Sequence, residues 1–260
     1  MIQSCFPKVK ALIIDMDGVL WKANQPIGDL PAIFARIRQI GLKTVFATNN
    51  STRTVEKYVE RLHQFGIQAC TDEIVTSSIA TAHLMKKQYP QGGPVYVVGE
   101  TGLVETLKSH GFYQREENVM AVVAGMDTTA TYAKLSQAVL HIHAGAAYYG
   151  TNPDSTFPTP KGPAMGAGGI LAAIEASSGV SPIIAGKPYT PMMNLVLEKL
   201  NLAPEEILAV GDRLNTDIQA GKNIGCNTAL VLTGISTRNE AEALESPPDI
   251  ITEDFATLIG

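Results

Sequence analysis

Two aspartates, Asp15 and Asp17, stand one residue apart at the end of a short apolar run and are followed at once by Gly18. Val9 to Ile14 reads as a buried strand, mostly apolar and branched. Side chains alternate along a strand, so Asp15 and Asp17 leave the same side and Met16 the other. Two carboxylates that close disfavour each other's ionisation. They need a cation, a shared proton or open solvent. Asp-Gly is also ordinary turn chemistry. The sharper alternative is a reaction centre at the carboxyl end of a parallel strand, where open α/β sheets place their ligands.

Three more polar clusters follow apolar runs that read as strands. They are Thr48-Asn49-Asn50-Ser51, Gly186-Lys187-Pro188 and Gly211-Asp212-Arg213-Leu214-Asn215-Thr216-Asp217. If the four strands are parallel in one sheet, the clusters share one edge. Their inventory suits phosphoryl transfer. Asp15, Asp17 and Asp212 form a hard oxygen site of the kind Mg²⁺ prefers. One carboxylate can attack phosphorus, and a second, protonated one can give its proton to the leaving oxygen. Thr48, the backbone amides after it and Lys187 can hold the phosphoryl oxygens.

The elements that must position these residues alternate. A helix over about Leu30 to Ile40 puts Ile33, Ile37 and Ile40 on one face, and Leu42 to Ala47 is the next strand. A second helix carries Val55, Val59 and Leu62 and stops at Gly66. Ile74 to Thr76 is a short strand, and Ser78 opens a helix. After Gln91-Gly92-Gly93-Pro94, strands at 95–98, 119–124 and 146–149 alternate with helices at 103–110 and 132–143. Residues 150–166 read as a long loop rich in Gly, Pro and Thr, and a helix runs from about Ala167 to Ser177. Strands near 183–185, 207–210, 228–232 and 250–251 close the series, with helices at 193–200 and 215–223. The pattern predicts an α/β fold: a doubly wound, mainly parallel, Rossmann-like core with a smaller inserted α/β domain.

Composition narrows the function classes. The chain of 260 residues is 45% hydrophobic and 17% charged, enough for a core and without a disorder signature. Its net charge of −5, with no basic block, argues against a nucleic-acid surface. Cys5, Cys70 and Cys226 are odd in number and far apart, which fits a reduced compartment. No apolar run approaches membrane-spanning length, and the first residues do not read as a signal peptide. The expectation is a cytoplasmic protein with no nucleic-acid or membrane partner.

The motifs DMDG at 15–18, ATNNST at 47–52, GKP at 186–188 and GDRLNTDI at 211–218 resemble, in this order, those of the haloacid-dehalogenase (HAD) superfamily of phosphatases. VVGETGL at 97–103 and GTNPDSTFPTP at 150–160 resemble the p-nitrophenyl phosphatase-like, or NagD-like, branch. The resemblance implies a HAD core over 1–78 and 185–260 and a cap over 79–184. It implies that Asp15 is nucleophile and Mg²⁺ ligand. Asp17 is general acid, then base, and ligates Mg²⁺ through its carbonyl. Thr48, Asn49 and Asn50 bind phosphate, and Lys187 neutralises nucleophile and phosphate. Asp212 ligates Mg²⁺, and Asp217 orients the metal's waters. An acid at position 17, where the family's transport ATPases carry Thr, favours phosphatase or mutase chemistry. In the cap loop, Asn152, Asp154 and Lys161 are the polar candidates for the leaving group. The branch also implies small organic phosphates as substrates and pairing through caps.

Plainer readings compete. Thr48 to Thr52 can serve as a helix N-cap, and Asp217 can sit in a first helical turn for its dipole. Gly162 to Gly169 fits neither a Walker motif nor GxGxxG. His141 and His143, two apart on a helix, do not share a face. Trp21 reads as packing. Two rival functions remain: a phosphotransferase or mutase of the same fold, and a non-enzymatic phospho-acceptor. The cap's place after the second motif argues against the usual mutases, and a receiver needs only about half this chain.

Overall fold

The computed structural model describes residues 2–159 and 161–260. Its two main sheets use, in chain order, β1 (Ala11–Ile14), β2 (Lys43–Thr48), β3 (Ile74–Thr76), β4 (Gly93–Val98), β5 (Phe112–Gln114), β6 (Ala121–Ala124), β7 (Ala147–Gly150), β8 (Ile183–Ile184), β9 (Ile207–Gly211), β10 (Asn227–Val231) and β11 (Ile250–Thr252). The strand orders are β11-β10-β9-β1-β2-β3 and β8-β7-β6-β4-β5. Two compact units result. One comprises the chain up to Thr48, Glu56–Val75 and Lys187–Gly260; the other comprises Asn49–Val55 and Thr76–Gly186.

In the first unit, β1 is buried along its whole length, as a central strand covered on both faces must be. It pairs in parallel with β9 and β2, and Ile14 stands opposite Val210 and Phe46. The residues that follow these strands therefore emerge side by side. The helix Leu30–Gln39 starts at Asp29, whose Oδ1 accepts from the Ala32 amide at 3.1 Å. It buries Leu30, Ile33, Phe34 and Ile37, each contributing roughly 1.5–3 kcal/mol of apolar burial. The helix Val55–Gln64 buries Tyr58 and Leu62. Val55 and Val59 are only half-buried, so the packed face is rotated from the one the valines predict, towards the larger tyrosine.

The second unit's sheet is parallel in every pairing. Strand alternation sorts its residues between two cores. Val95, Val97, Ala121, Val123 and Tyr149 join Met85, Leu103 and Leu107 on one face. Tyr96, Val98, Val122, Ala124 and Tyr148 join Ile142, Ile170 and Ile174 on the other.

Two features of this unit depart from the sequence reading. Strand β5, of three residues, is too short to show a pattern. The expected loop at 150–166 contains an antiparallel pair, Thr156–Thr159 with Gly162–Met165. Prolines hid it. Pro158 stands opposite Pro163, so the two occupy a non-hydrogen-bonded position where a missing N–H costs the ladder nothing.

Asn49–Val55 groups with the second unit, whereas the expected border kept residues 1–78 together. Side chains explain the grouping. Ser77 Oγ donates to the Asn49 carbonyl at 2.6 Å, Ser78 Oγ to the Ser51 carbonyl at 3.2 Å, and the Gly102 amide to the Thr52 carbonyl at 3.1 Å. Among the described residues, no helix is long and apolar enough to cross a membrane.

Candidate active site

The ends of β1, β2 and β9 and the start of the 187–260 segment bring four charged side chains together in the first unit. Lys187 is 3% exposed. Its Nζ donates to Asp15 Oδ1 at 2.6 Å, to Asp217 Oδ1 at 2.6 Å and to the Ala47 carbonyl, at the end of β2, at 2.8 Å. A buried ammonium persists only with such partners. Burial alone would lower the Lys187 pKa, but the Asp15 and Asp217 carboxylates outweigh it and keep the group protonated.

Asp212 follows β9 and is 2% exposed. Its Oδ2 accepts from the Ile235 amide at 2.9 Å. Burial, and then repulsion from Asp217, push its carboxyl up to about 7. Asp15 is raised as well, first by burial, against the pull of Lys187, with Asp217 and Asp212 adding to the rise. Asp217 Oδ2 accepts from the Arg213 amide at 3.1 Å. Carboxylate oxygens of Asp15, Asp212 and Asp217 all lie within 4.8 Å of one another. Fully ionised, three carboxylates against one ammonium would carry an excess of two negative charges, and the raised Asp15 and Asp212 carboxyls are the response to burial and that crowding; all the donors are hard oxygens. That donor set fits a divalent cation such as Mg²⁺.

Glycine makes this density possible. Gly18 has φ +87°, a left-handed conformation, and a Cβ there would stand 2.6 Å from Asp212 Cγ. The loop after β10 supplies the other wall. A Cβ on Gly234 would stand 1.8 Å from Asp212 Oδ2, and Ser236 Oγ accepts from the Leu214 amide. Sequence reasoning missed this loop, although Thr233-Gly234 follows the end of a strand as the other clusters do.

Asp17 is exposed and lies outside the acidic cluster. Its Oδ1 accepts from Trp21 Nε1 at 2.8 Å. Trp21 is fully buried, with the Arg61 guanidinium 4.4 Å from its ring centre. It therefore packs, as expected, and also aims the Asp17 carboxylate. The turn that brings them together is closed by the Gly18 amide donating to the Trp21 carbonyl at 2.8 Å.

Thr48 ends β2 and is 2% exposed. Asn50 turns its Oδ1 back onto the Thr52 amide and hydroxyl, at 2.9 and 2.8 Å. In the second unit, Asp154 Oδ2 accepts from Asn49 Nδ2 at 3.1 Å and from Asn152 Nδ2 at 3.0 Å. Lys161 is exposed.

This arrangement offers a buried carboxylate held by an ammonium, a second carboxylate open to a substrate and oxygen donors for a divalent cation. Comparison with known proteins agrees with that chemistry. Residues 12–113 match the model of the haloacid dehalogenase-like hydrolases, and residues 184–258 match a HAD-hydrolase-like model. The chain is 36% identical over 251 residues to an acid sugar phosphatase of Staphylococcus saprophyticus, covering 96% of each chain. It superposes on a 4-nitrophenylphosphatase from Thermotoga maritima with a TM-score of 0.93 at 34% identity, covering 98% of each. A glycerol phosphate phosphatase from Mycobacterium tuberculosis, crystallised in complex with magnesium, gives 0.89 at 31% identity, covering 98% of this chain and 77% of that one.

Proposed function

The chain belongs to the haloacid dehalogenase-like hydrolases and is a phosphatase of the p-nitrophenyl phosphatase-like branch, and from that premise we propose a Mg²⁺-dependent hydrolase of small organic phosphate monoesters working through an aspartyl-phosphate. The observation that carries the reading is the buried Lys187 joining Asp15 to Asp217, with Asp212 alongside.

A carboxylate oxygen of Asp15 attacks phosphorus as the bond to the leaving alcohol breaks. Asp17, protonated at that moment, gives its proton to the departing oxygen. Asp17 then takes a proton from water, whose oxygen attacks the aspartyl-phosphate. The bond to Asp15 breaks and inorganic phosphate leaves. Trp21 keeps Asp17 aimed through both steps. Lys187 stays charged throughout and offsets the Asp15 carboxylate and the phosphoryl oxygens. Thr48, Asn49 and Asn50 hold those oxygens. Mg²⁺, held by Asp15, the Asp17 carbonyl and Asp212 with Asp217 behind them, would supply further positive charge to the phosphoryl group when bound.

Sugar phosphates, phosphoglycolate, nucleotide monophosphates and p-nitrophenyl phosphate are the substrate types proposed. The names of the sugar, nitrophenyl and glycerol phosphate phosphatases support a small, variable leaving group. The test is hydrolysis of p-nitrophenyl phosphate and a panel of these esters, with Mg²⁺ and with EDTA. Turnover that survives EDTA would reject the metal dependence. Turnover confined to long-chain or macromolecular phosphates would reject the substrate class.

A further inference from the structure

Asn49 follows Thr48 directly, and its side-chain amide is bonded to a residue distant in sequence while its carbonyl oxygen packs close to another. Its Nδ2 donates to Asp154 Oδ2 at 3.1 Å. Its Oδ1 lies against Gly186, where a Cβ would come within 2.7 Å of it and within 2.5 Å of the Thr151 carbonyl. Its backbone carbonyl accepts from Ser77 Oγ at 2.6 Å. Asn49 is 8% exposed.

Asp154 is held in turn. The same Oδ2 accepts from Asn152 Nδ2 at 3.0 Å, and Asn152 Oδ1 accepts from Thr151 Oγ1 at 2.8 Å. Asn152 is 5% exposed and Thr151 fully buried. This chain of bonds starts at the carboxyl end of β7 and reaches back to the segment after β2. An amide donated to a carboxylate makes a stronger bond than one between neutral groups. A single oxygen that takes two amides is specified in position by both.

We propose that Asp154 is a positioning residue that sets the Asn49 side chain, and through it the backbone just after Thr48, for phosphate binding. The inference deepens the phosphatase reading and rests on it. It replaces direct leaving-group contact as the task of Asp154. An Asp154 that tethers the phosphate-binding segment governs affinity for every phosphate alike. An Asp154 that touches the leaving group governs it only where a leaving group is present.

Inorganic phosphate separates the two, because it has no leaving group. The experiment measures p-nitrophenyl phosphate and glycerol phosphate hydrolysis in Mg²⁺, and competitive inhibition by inorganic phosphate, for wild type, Asp154→Ala, Asp154→Asn and Asn152→Ala. Asp154→Ala is expected to raise KM for both esters and Ki for inorganic phosphate together, by about tenfold, with kcat changed less than KM. Asp154→Asn keeps an oxygen acceptor and brings Ki most of the way back. Asn152→Ala shifts Ki in the same direction by less, and it carries the test if Asp154→Ala does not fold. A phosphate Ki within twofold of wild type in the folded variants, with KM changed for one ester and not the other, would overturn the proposal. Absence of turnover in the wild-type protein would overturn the phosphatase reading itself, an outcome distinct from a failed tether.

Discussion

Lys187 is the residue whose removal reaches furthest, because three oxygens from three parts of the chain converge on its ammonium. Lys187→Ala would leave Asp15 and Asp217 buried and uncompensated. A cost of about 3–5 kcal/mol is expected, read by urea denaturation in EDTA at neutral pH. Turnover should fall by at least about a hundredfold. Lys187→Arg should recover little activity, since a planar guanidinium does not fit a pocket shaped for a compact ammonium. Asp15, Lys187, Asp212 and Asp217 were legible because each is a polar residue just after an apolar strand or in the turn that follows one. The bond from Trp21 to Asp17 was not, because it depends on a tight turn whose geometry no pattern of residue types announces. Asn49 and Asp154, 105 residues apart, were each singled out, but nothing in the sequence joins them.

At the scale of elements, strands and long helices followed from periodicity, and the helix Tyr132–His143 has the bounds its pattern predicts. What escaped was short or stabilised by tertiary contacts, such as β5 and the ribbon at 156–165. The start of the helix Tyr132–His143 offers a pH test away from the site. Asp127 Oδ1 accepts from the Thr129 amide and hydroxyl, at 2.9 and 2.8 Å, and its Oδ2 from Lys134 Nζ at 2.6 Å. Burial pushes the Asp127 carboxyl up, but these bonds outweigh it and hold the pKa below the usual value. A depressed folded-state pKa gives stability that is present above the unfolded value of about 4 and lost as pH falls through the folded one. Asp127→Asn should therefore cost about 1–2 kcal/mol at pH 7, and the gap to wild type should close under acid, as followed by thermal melts across pH. At Gly18, alanine would be strained by the positive φ and would press on Asp212, so Gly18→Ala should weaken metal binding as well as stability.

For the whole molecule, the crowding of the Asp15, Asp212 and Asp217 carboxyls links stability to metal, because a bound cation favours their ionised forms. At a Mg²⁺ concentration 100 times its Kd, the folded state gains about 2.7 kcal/mol. Calorimetry should show that gain in wild type and its loss in Asp212→Asn. The two-unit organisation was legible as an interruption of one α/β series by another, because each series has strands and helices enough for its own core. The assignment of Asn49–Val55 was not, since it rests on Ser77, Ser78 and Gly102 bonding that segment. The central claim is that phosphorus passes through Asp15, and rapid-quench trapping tests it most directly. Wild-type protein is mixed with excess p-nitrophenyl phosphate in Mg²⁺, acid-quenched within the first turnover, treated with borohydride and digested for mass spectrometry. Reduction should convert position 15 alone to homoserine, and Asp15→Asn should give neither the product nor turnover. Steady turnover with Asp15 unlabelled, or an Asp15→Asn protein that still turns over, would contradict the account.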